Sequence, residues 1–173
     1  MRISACRYGI PDSAEYIPAE EFRRVLEDQP ELRAFSLRYA QATLMASSQL
    51  SACNNLHPTD ERCARWLLTA HDRVEDDLLL LTQEFLSQML GVRRGGVTIA
   101  ASALQQAGFI SYARGHITVR NRGGLEAAAC ECYEAVQRNW QEVMGYHIGH
   151  KYANESYARI EGTATVRGDG QPQ

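Results

Sequence analysis

The chain has 173 residues, of which 45% are hydrophobic and 23% charged, and its formal net charge is −3. These proportions are ordinary for a globular protein, and the length suffices for one compact domain with a helical arm. The sequence contains no apolar run of membrane-spanning length and no signal-like apolar region at its start, which predicts a cytoplasmic protein without membrane contact.

Residues 1–28 are predicted to contain short strands and a short helix. Residues 3–8 and 15–17 suggest one or two short strands, with Ile10-Pro11-Asp12 as a turn between them. Pro18 then precedes a short predicted helix at residues 19–26.

Residues 30–56 predict one long helix, because no glycine or proline interrupts them. At about 1.5 Å per residue it would span roughly 40 Å, too long to be buried within one small domain. Residues that recur at spacings of three and four form a seam with small residues in its middle. This seam predicts pairing with a second helix. The alternative is a long amphipathic helix that packs within its own chain. The predicted interface residues are Leu32, Phe35, Tyr39, Ala42, Ala46, Gln49, Cys53 and Leu56.

The next segment predicts a hinge, a helix and a strand. Asn54-Asn55 and Pro58 break the helical pattern, and Thr59 is predicted to cap the following helix. Residues 78–81, four leucines, predict a buried strand. The inward stripe predicted for the helix consists of Cys63, Trp66, Leu67 and Ala70.

Residues 82–122 predict two short helices followed by a hairpin. Thr82 can cap the first helix through its hydroxyl, and Gly91 follows where a left-handed residue would end that helix. The second helix ends at Gly108, and two β-branched or apolar runs then flank a turn containing Gly115. This order is that of a winged helix-turn-helix, which makes double-stranded DNA the predicted partner. The apolar faces comprise Phe85, Leu86, Met89 and Leu90 in the first helix and Val97, Ala100, Ala101 and Leu104 in the second.

Charge distinguishes this segment from the rest of the chain. Five arginines against the single Glu84 give residues 82–122 a balance of +4, which leaves −7 for the remainder. Such a basic island would steer the protein toward a polyanion, whereas the alternative is a set of arginines that only solvate the surface. Their placement at the start of the second helix and in the hairpin favours DNA. They are Arg93, Arg94, Arg114, Arg120 and Arg122.

A further helix that packs against the DNA-binding unit is predicted after the hairpin, and from Gly145 the chain becomes polar and glycine-rich, which predicts disorder. The stripe of this helix is Leu125, Ala129, Cys132, Val136, Trp140 and Val143.

The cysteines and histidines give no strong metal or catalytic pattern. Cys130 and Cys132 on a helix would point about 200° apart, so buried structural thiols are predicted in preference to a chelating pair. His147 and His150 are interpreted as solvated, because cysteine or carboxylate partners are not close to them in the sequence. Motifs of known hydrolases and nucleotide-binding enzymes are not found, so the chain is predicted to be neither an enzyme nor a cofactor-dependent protein, with no metal.

The run LTQEFLSQMLGVRRGGVTIAASALQQAGFISYARGHITV, with RGGLEAAACECY after it, resembles the DNA-binding domain of Crp/Fnr-type bacterial transcription regulators. Upstream, residues 30–74 resemble their dimerisation helix and the helix after it. The resemblance implies a mainly α fold with a small β component. Its expected parts are the remnant of an effector β-roll (1–28), a dimerisation helix (29–57), a winged helix-turn-helix domain (58–144) and a polar tail (145–173). Leu37, Leu44 and Leu50 lie where the mostly absent β-roll would pack.

The same resemblance implies a cytoplasmic homodimer that binds a two-fold symmetric DNA site, with RNA polymerase as a further candidate partner. Arg94 occupies the position of a base-reading arginine, and Arg93, Thr98 and Ser102 are expected beside it. Gly95-Gly96 in the first turn predicts a helix that starts late or frays, and weak sequence specificity. Expected contacts to the DNA backbone come from Thr82, Gln83, Arg114 and His116.

Two function classes remain open from the sequence. The first is a dimeric DNA-binding transcription regulator. The second is an interaction module without a sensor, which forms a heterodimer with a full-length relative and modulates its DNA binding.

Overall fold

The structure, a computed structural model, describes residues 17–74, 76–113 and 115–145. The strands predicted at residues 3–8 and 15–17, except for Ile17, lie outside these ranges, as does the tail from residue 146 onward. The predicted class is confirmed, since the described chain is mainly helical with one small sheet. None of the described helices is long and apolar enough to cross a bilayer.

The N-terminal arm consists of α1 (Ala19–Asp28) and α2 (Pro30–Leu56). Pro30 occupies the first turn of α2, where its missing N–H leaves no hydrogen bond unmade. The helix ends at His57, whose extended backbone precedes Pro58. The long uninterrupted helix predicted from the sequence is therefore present, with the predicted bounds.

The DNA-binding unit predicted from the sequence forms around a three-stranded antiparallel sheet. Its elements are α3 (Thr59–His71), β1 (Leu78–Leu80), α4 (Gln83–Leu90), α5 (Arg94–Gln106), β2 (Ile110–Ala113), β3 (His116–Val119) and α6 (Arg122–Ala128). The strand order is β1-β3-β2, with β3 in the middle. Two expectations differ in detail. Pro58, not Thr59, is the N-cap of α3, and β1 is buried only at Leu79, because alternate residues of an edge strand face outward.

One apolar core joins α3, α4, α5 and the sheet. The ring of Trp66 meets that of Phe85 edge-on at 5.8 Å, which packs α3 against α4. Each of these elements therefore contributes one face to a shared interior, as the predicted apolar stripes require. Its largest fully buried side chains are Leu67, Leu68, Leu86, Leu90, Val97, Ile110, Ile117 and Leu125.

The last described helix, α7 (Cys132–Met144), packs along α2 more extensively than any other pair of elements in contact. The rings of Tyr39 and Trp140 meet edge-on with centroids 5.4 Å apart. Gln49 Nε2 lies 3.1 Å from Cys132 Sγ, and Cys53 Sγ lies 3.5 Å from Cys130 Sγ. The long helix thus has a partner within its own chain.

Contact with α7 covers part of the seam that was predicted to form the dimer interface. Ala42 and Cys53 have no exposed surface within the single chain, so a second copy could bury nothing more there. Leu32, Phe35 and Leu56 remain exposed at 37%, 42% and 75%. The middle of the seam matches the alternative of packing within the chain, because α7 offers an amphipathic face that covers it.

The segment after the sheet contains two helices, where one was predicted. Helix α6 ends before Ala129, whose backbone is extended, and α7 begins only at Cys132. Cys130 therefore lies outside any helix. The prediction that Cys130 and Cys132 diverge by 200° was wrong, because it assumed one continuous helix.

Candidate nucleic-acid interface

Helix α4 is fixed at both ends, and the turn to α5 follows it. Thr82 Oγ1 accepts a hydrogen bond of 3.2 Å from the N–H of Phe85, as the predicted cap requires. Gly91 has φ of 63°, the left-handed conformation that an L side chain rarely adopts, and it ends α4. The half-buried Val92 follows at the corner, where its Cγ2 would lie 3.6 Å from a Cβ at position 96.

A residue that the sequence reading missed also stabilises this turn. The guanidinium of the buried Arg62 donates to the carbonyl oxygen of Leu90, the last residue of α4. A cation at a helix C-terminus is favoured by the helix dipole. An arginine among the apolar residues of α3 carries no local signal of this role, because its acceptor lies 28 residues away.

Helix α5 buries one face and exposes the other. Val97, Ala100, Ala101 and Leu104 are buried in the core, while Arg94, Thr98, Ile99 and Ser102 are exposed. The helix begins at Arg94 and runs through Gly95-Gly96, so the predicted late start was wrong. Neither glycine has a positive φ, and the N–H of Gly96 donates to the carbonyl of Arg93 at 2.9 Å.

The two candidate reading arginines stand at the N-terminus of α5. Arg93 is its N-cap residue and is exposed. The guanidinium of Arg94, 69% exposed, forms an ion pair with the carboxylate of Glu84 in the first turn of α4. Thr98 Oγ1 donates to the carbonyl of Arg94 at 3.1 Å, so its hydroxyl is already engaged by the backbone. Arg94 is thus held over the helix-turn-helix corner by an acidic neighbour.

The structure adds Ile99 to the candidate surface. Its side chain is 74% exposed, the second-largest exposure among the large hydrophobic residues described. It lies five positions after Arg94 and opposite the buried stripe of α5. The signal was present in the sequence, since an isoleucine off the apolar stripe of an amphipathic helix has no packing role within its own fold.

The remaining predicted contact residues occupy the rim of this surface. Gln83 is the half-buried first residue of α4, and His116 is the exposed first residue of β3. Gly115, with φ of 79°, turns the hairpin toward the N-terminus of α4, where its Cβ position lies 3.8 Å from Thr82. Wing and helix-turn-helix are therefore adjacent. Arg114 is outside the described residues.

The basic island is smaller than the sequence indicates. Arg122 turns inward and pairs with Asp72 and Glu126, with 23% of its side chain exposed. Arg120 remains exposed at the end of the hairpin, where its Nε donates to Ser111 Oγ at 3.2 Å. Arg93, Arg94 and Arg120 are then the described arginines of residues 82–122 that can meet a polyanion.

Comparison with known proteins gives the same assignment for this part of the chain. Residues 61–128 match the model of the Crp-like helix-turn-helix domain. A search of curated proteins finds no significant match.

Two solved structures are among those that match. A transcriptional regulator of the Crp/Fnr family from Eubacterium rectale ATCC 33656 is 23% identical with a TM-score of 0.52, over 65% of this chain and 52% of that one. The catabolite activator protein of Thermus thermophilus is 21% identical with a TM-score of 0.39, over 68% and 53%. The match therefore spans about half the length of each relative. The match of residues 61–128 to the Crp-like helix-turn-helix domain confirms the resemblance to Crp/Fnr-type regulators drawn from the sequence.

Proposed function

We propose that this chain is a transcription regulator that binds double-stranded DNA with α5 in the major groove. The observation that carries the proposal is the exposed face of α5, which presents Arg94 and Ile99 beside the N-terminal Arg93. An arginine can bond two acceptors of a guanine edge, and an apolar side chain can contact a thymine methyl group. The pair could read two different bases from one helix.

The positive charge around α5 favours contact with the phosphate backbone of DNA. The N-terminus of α5 carries the positive end of the helix dipole, and Arg93 adds a full charge there. The hairpin lies next to the N-terminus of α4, so Thr82, Gln83, Arg114 and His116 are the proposed backbone contacts. Glu84 opposes this field, and its ion pair with Arg94 must rearrange or be shared when DNA arrives.

Dimerisation along α2 completes the proposal. Two copies of α5 placed about 34 Å apart would enter successive major grooves of a two-fold site. The apolar side chains that α7 leaves exposed on α2 are available for pairing. Leu32 and Phe35, 37% and 42% exposed, belong to the predicted seam.

A binding experiment with selected and random duplexes tests this function. The full chain is used to enrich a duplex from a random pool, and affinity for that duplex and for a random one is measured against salt. Arg94→Ala should weaken binding to the selected duplex far more than to the random one. Arg38→Ala, the same charge change on the exposed surface of α2, is the matched control and should leave the ratio unchanged.

The mass of the protein in solution distinguishes direct regulation from the interaction-module alternative. A dimer that binds the selected duplex supports direct regulation. A monomeric chain with no salt-dependent binding to any duplex contradicts it. If that chain instead forms a mixed dimer with a full-length Crp/Fnr-type relative, the interaction-module alternative replaces it.

A further inference from the structure

Four potential metal ligands converge where the long helix meets the connection between α6 and α7. Cys53 lies in the last turn of α2, and His57 directly follows that helix. Cys130 and Cys132 flank Glu131 at the start of α7. One ligand atom from each of the four residues lies within 4.8 Å of the others. They come from segments more than 70 residues apart, so the fold itself creates the cluster.

Two of the six separations between the ligand atoms are close to the edges of a tetrahedron around one ion. Cys53 Sγ and Cys130 Sγ are 3.5 Å apart, and Cys132 Sγ lies 3.6 Å from His57 Nδ1. Zinc bonds of about 2.3 Å to sulfur and about 2.0 Å to nitrogen give tetrahedral edges of roughly 3.8 Å between sulfurs and roughly 3.5 Å between sulfur and nitrogen. A multi-iron cluster would hold its cysteines further apart, so a single ion fits the spacing better.

Hydrogen bonds with neighbouring side chains orient these ligands, as is usual around a metal site. His57 Nε2 lies 3.1 Å from Glu131 Oε1, so a hydrogen on Nε2 leaves Nδ1 as the nitrogen that faces the sulfurs. A carboxylate that fixes the tautomer of a ligating histidine is a common outer-shell arrangement. Gln49 Nε2 donates to Cys132 Sγ at 3.1 Å, a contact that favours a thiolate.

The setting of the three sulfurs also favours a cation. All three cysteines are buried, while His57 is half-buried and gives the cluster one edge toward solvent. Three thiolates brought this close would repel one another, and a cation among them offsets that repulsion.

We propose that Cys53, His57, Cys130 and Cys132 bind one zinc ion as a closed, four-coordinate structural site. All four positions are filled by protein, which leaves none for a substrate. The ion would join the end of α2 to the start of α7, and so hold the arm against the helix-turn-helix unit. This site is independent of the DNA contacts, and its test does not require DNA.

Metal content and a cobalt spectrum test the site in the full chain. Protein purified under reducing conditions should contain one equivalent of zinc. Replacing it with Co²⁺ should give the intense visible bands of tetrahedral coordination and the near-ultraviolet charge-transfer band of thiolate ligands. Cys53→Ala and Cys132→Ala should each lose that charge-transfer intensity and the stoichiometric zinc. Cys63→Ala, a buried cysteine in the core of α3, is the matched control and should keep both.

Glu131→Gln provides a variant that keeps all four ligands. It should lower zinc affinity by about 10- to 100-fold, because it weakens the contact that orients His57. The cobalt spectrum of the unsubstituted chain decides the proposal even if the cysteine variants fail to fold. Octahedral or absent cobalt bands, or a zinc-free protein whose Cys53 and Cys130 simply form a disulfide with loss of two hydrogens, would overturn the site.

Discussion

Arg122 Nη2 donates to Asp72 Oδ1 across 2.7 Å, which ties the first residue of α6 to the C-cap of α3. The carboxylate of Asp72 is almost fully buried and also accepts hydrogen bonds of 2.8 Å from the phenol of Tyr133 and the amide of Gln137. Burial opposes the charge of Arg122, but the hydrogen bond and charge of Asp72 raise its pKa. One buried carboxylate thus fastens both α6 and α7 to α3.

The same arginine fixes a histidine. Arg122 Nη1 lies 2.8 Å from His71 Nδ1, and because a guanidinium only donates, that nitrogen must accept. The hydrogen on Nε2 then points to Asp77 Oδ1, also at 2.8 Å. The network reaches from α6 to the residue that precedes β1.

Breaking this pair should destabilise the fold. Arg122→Met leaves Asp72 charged and buried without its cation, and a loss of roughly 3–5 kcal/mol in the free energy of unfolding is expected. The double variant Asp72→Asn, Arg122→Met should regain part of that loss, because it removes both charges. Urea unfolding measures the free energy of unfolding of the parent chain, the single variant and the double variant. Arg120→Met, at an exposed position, is the control, expected within about 0.5 kcal/mol of the parent. Equal losses at both arginines would remove the special role of Arg122.

Local chemistry allowed much of the helix-turn-helix to be predicted. The cap at Thr82 and the left-handed Gly91 depend on neighbours within three residues, and both are present as predicted. The apolar stripe of α5 follows from helix geometry alone. The partner of α2 was not predictable in this way. A seam of small and apolar residues indicates that another helix covers this one. The seam does not distinguish α7 from a second copy of α2.

The burial of the cysteines was predicted and is present for Cys53, Cys63, Cys130 and Cys132. The inward turn of Arg122 and the convergence of the cysteines were missed, both for the same reason. Arg122 looks like part of a basic wing in the sequence, but its acceptor Asp72 is 50 residues away. Cys53 and Cys130 are separated by 77 residues, and the break at Ala129 that turns Cys130 toward Cys53 has no local marker such as proline. Both placements depend on contacts between residues that are far apart in the sequence.

Gly91, which ends α4, and Gly95, the second residue of α5, should respond oppositely to alanine. A Cβ at Gly95 would meet no atom within 4 Å, and its φ is not positive, so Gly95→Ala should stabilise the fold by about 0.5 kcal/mol through helix propensity. At Gly91 the space is also open, but φ is +63°, so Gly91→Ala should destabilise by about 1 kcal/mol. Thermal unfolding compares the two variants. The same sign for both would mean that backbone conformation does not control the turn.

Releasing Arg94 from Glu84 should strengthen DNA binding. Glu84→Gln removes a carboxylate that pairs with Arg94 and would repel phosphate. Exposed ion pairs contribute about 0.2–1 kcal/mol, so affinity for both selected and random duplexes should rise by about 1.4- to fivefold. Glu31→Gln, which makes the same charge change near the start of α2, is the control and should have a smaller effect. Affinity that falls in Glu84→Gln would show that Glu84 instead positions Arg94 for reading.

Ile99 should contribute to sequence reading through an apolar contact. Its exposed side chain has no role in the core, so Ile99→Ala should leave the unfolding temperature unchanged. Burying one methyl group is worth about 0.8 kcal/mol, so binding to the selected duplex should weaken by roughly fourfold or more. Replacing the contacted thymine by uracil removes the methyl group from the DNA side. If the two groups touch, Ile99→Ala should weaken binding to the uracil duplex much less, a coupling that a double-variant cycle measures. Fully additive losses would place Ile99 away from the thymine and leave Arg94 as the principal base-reading side chain of α5.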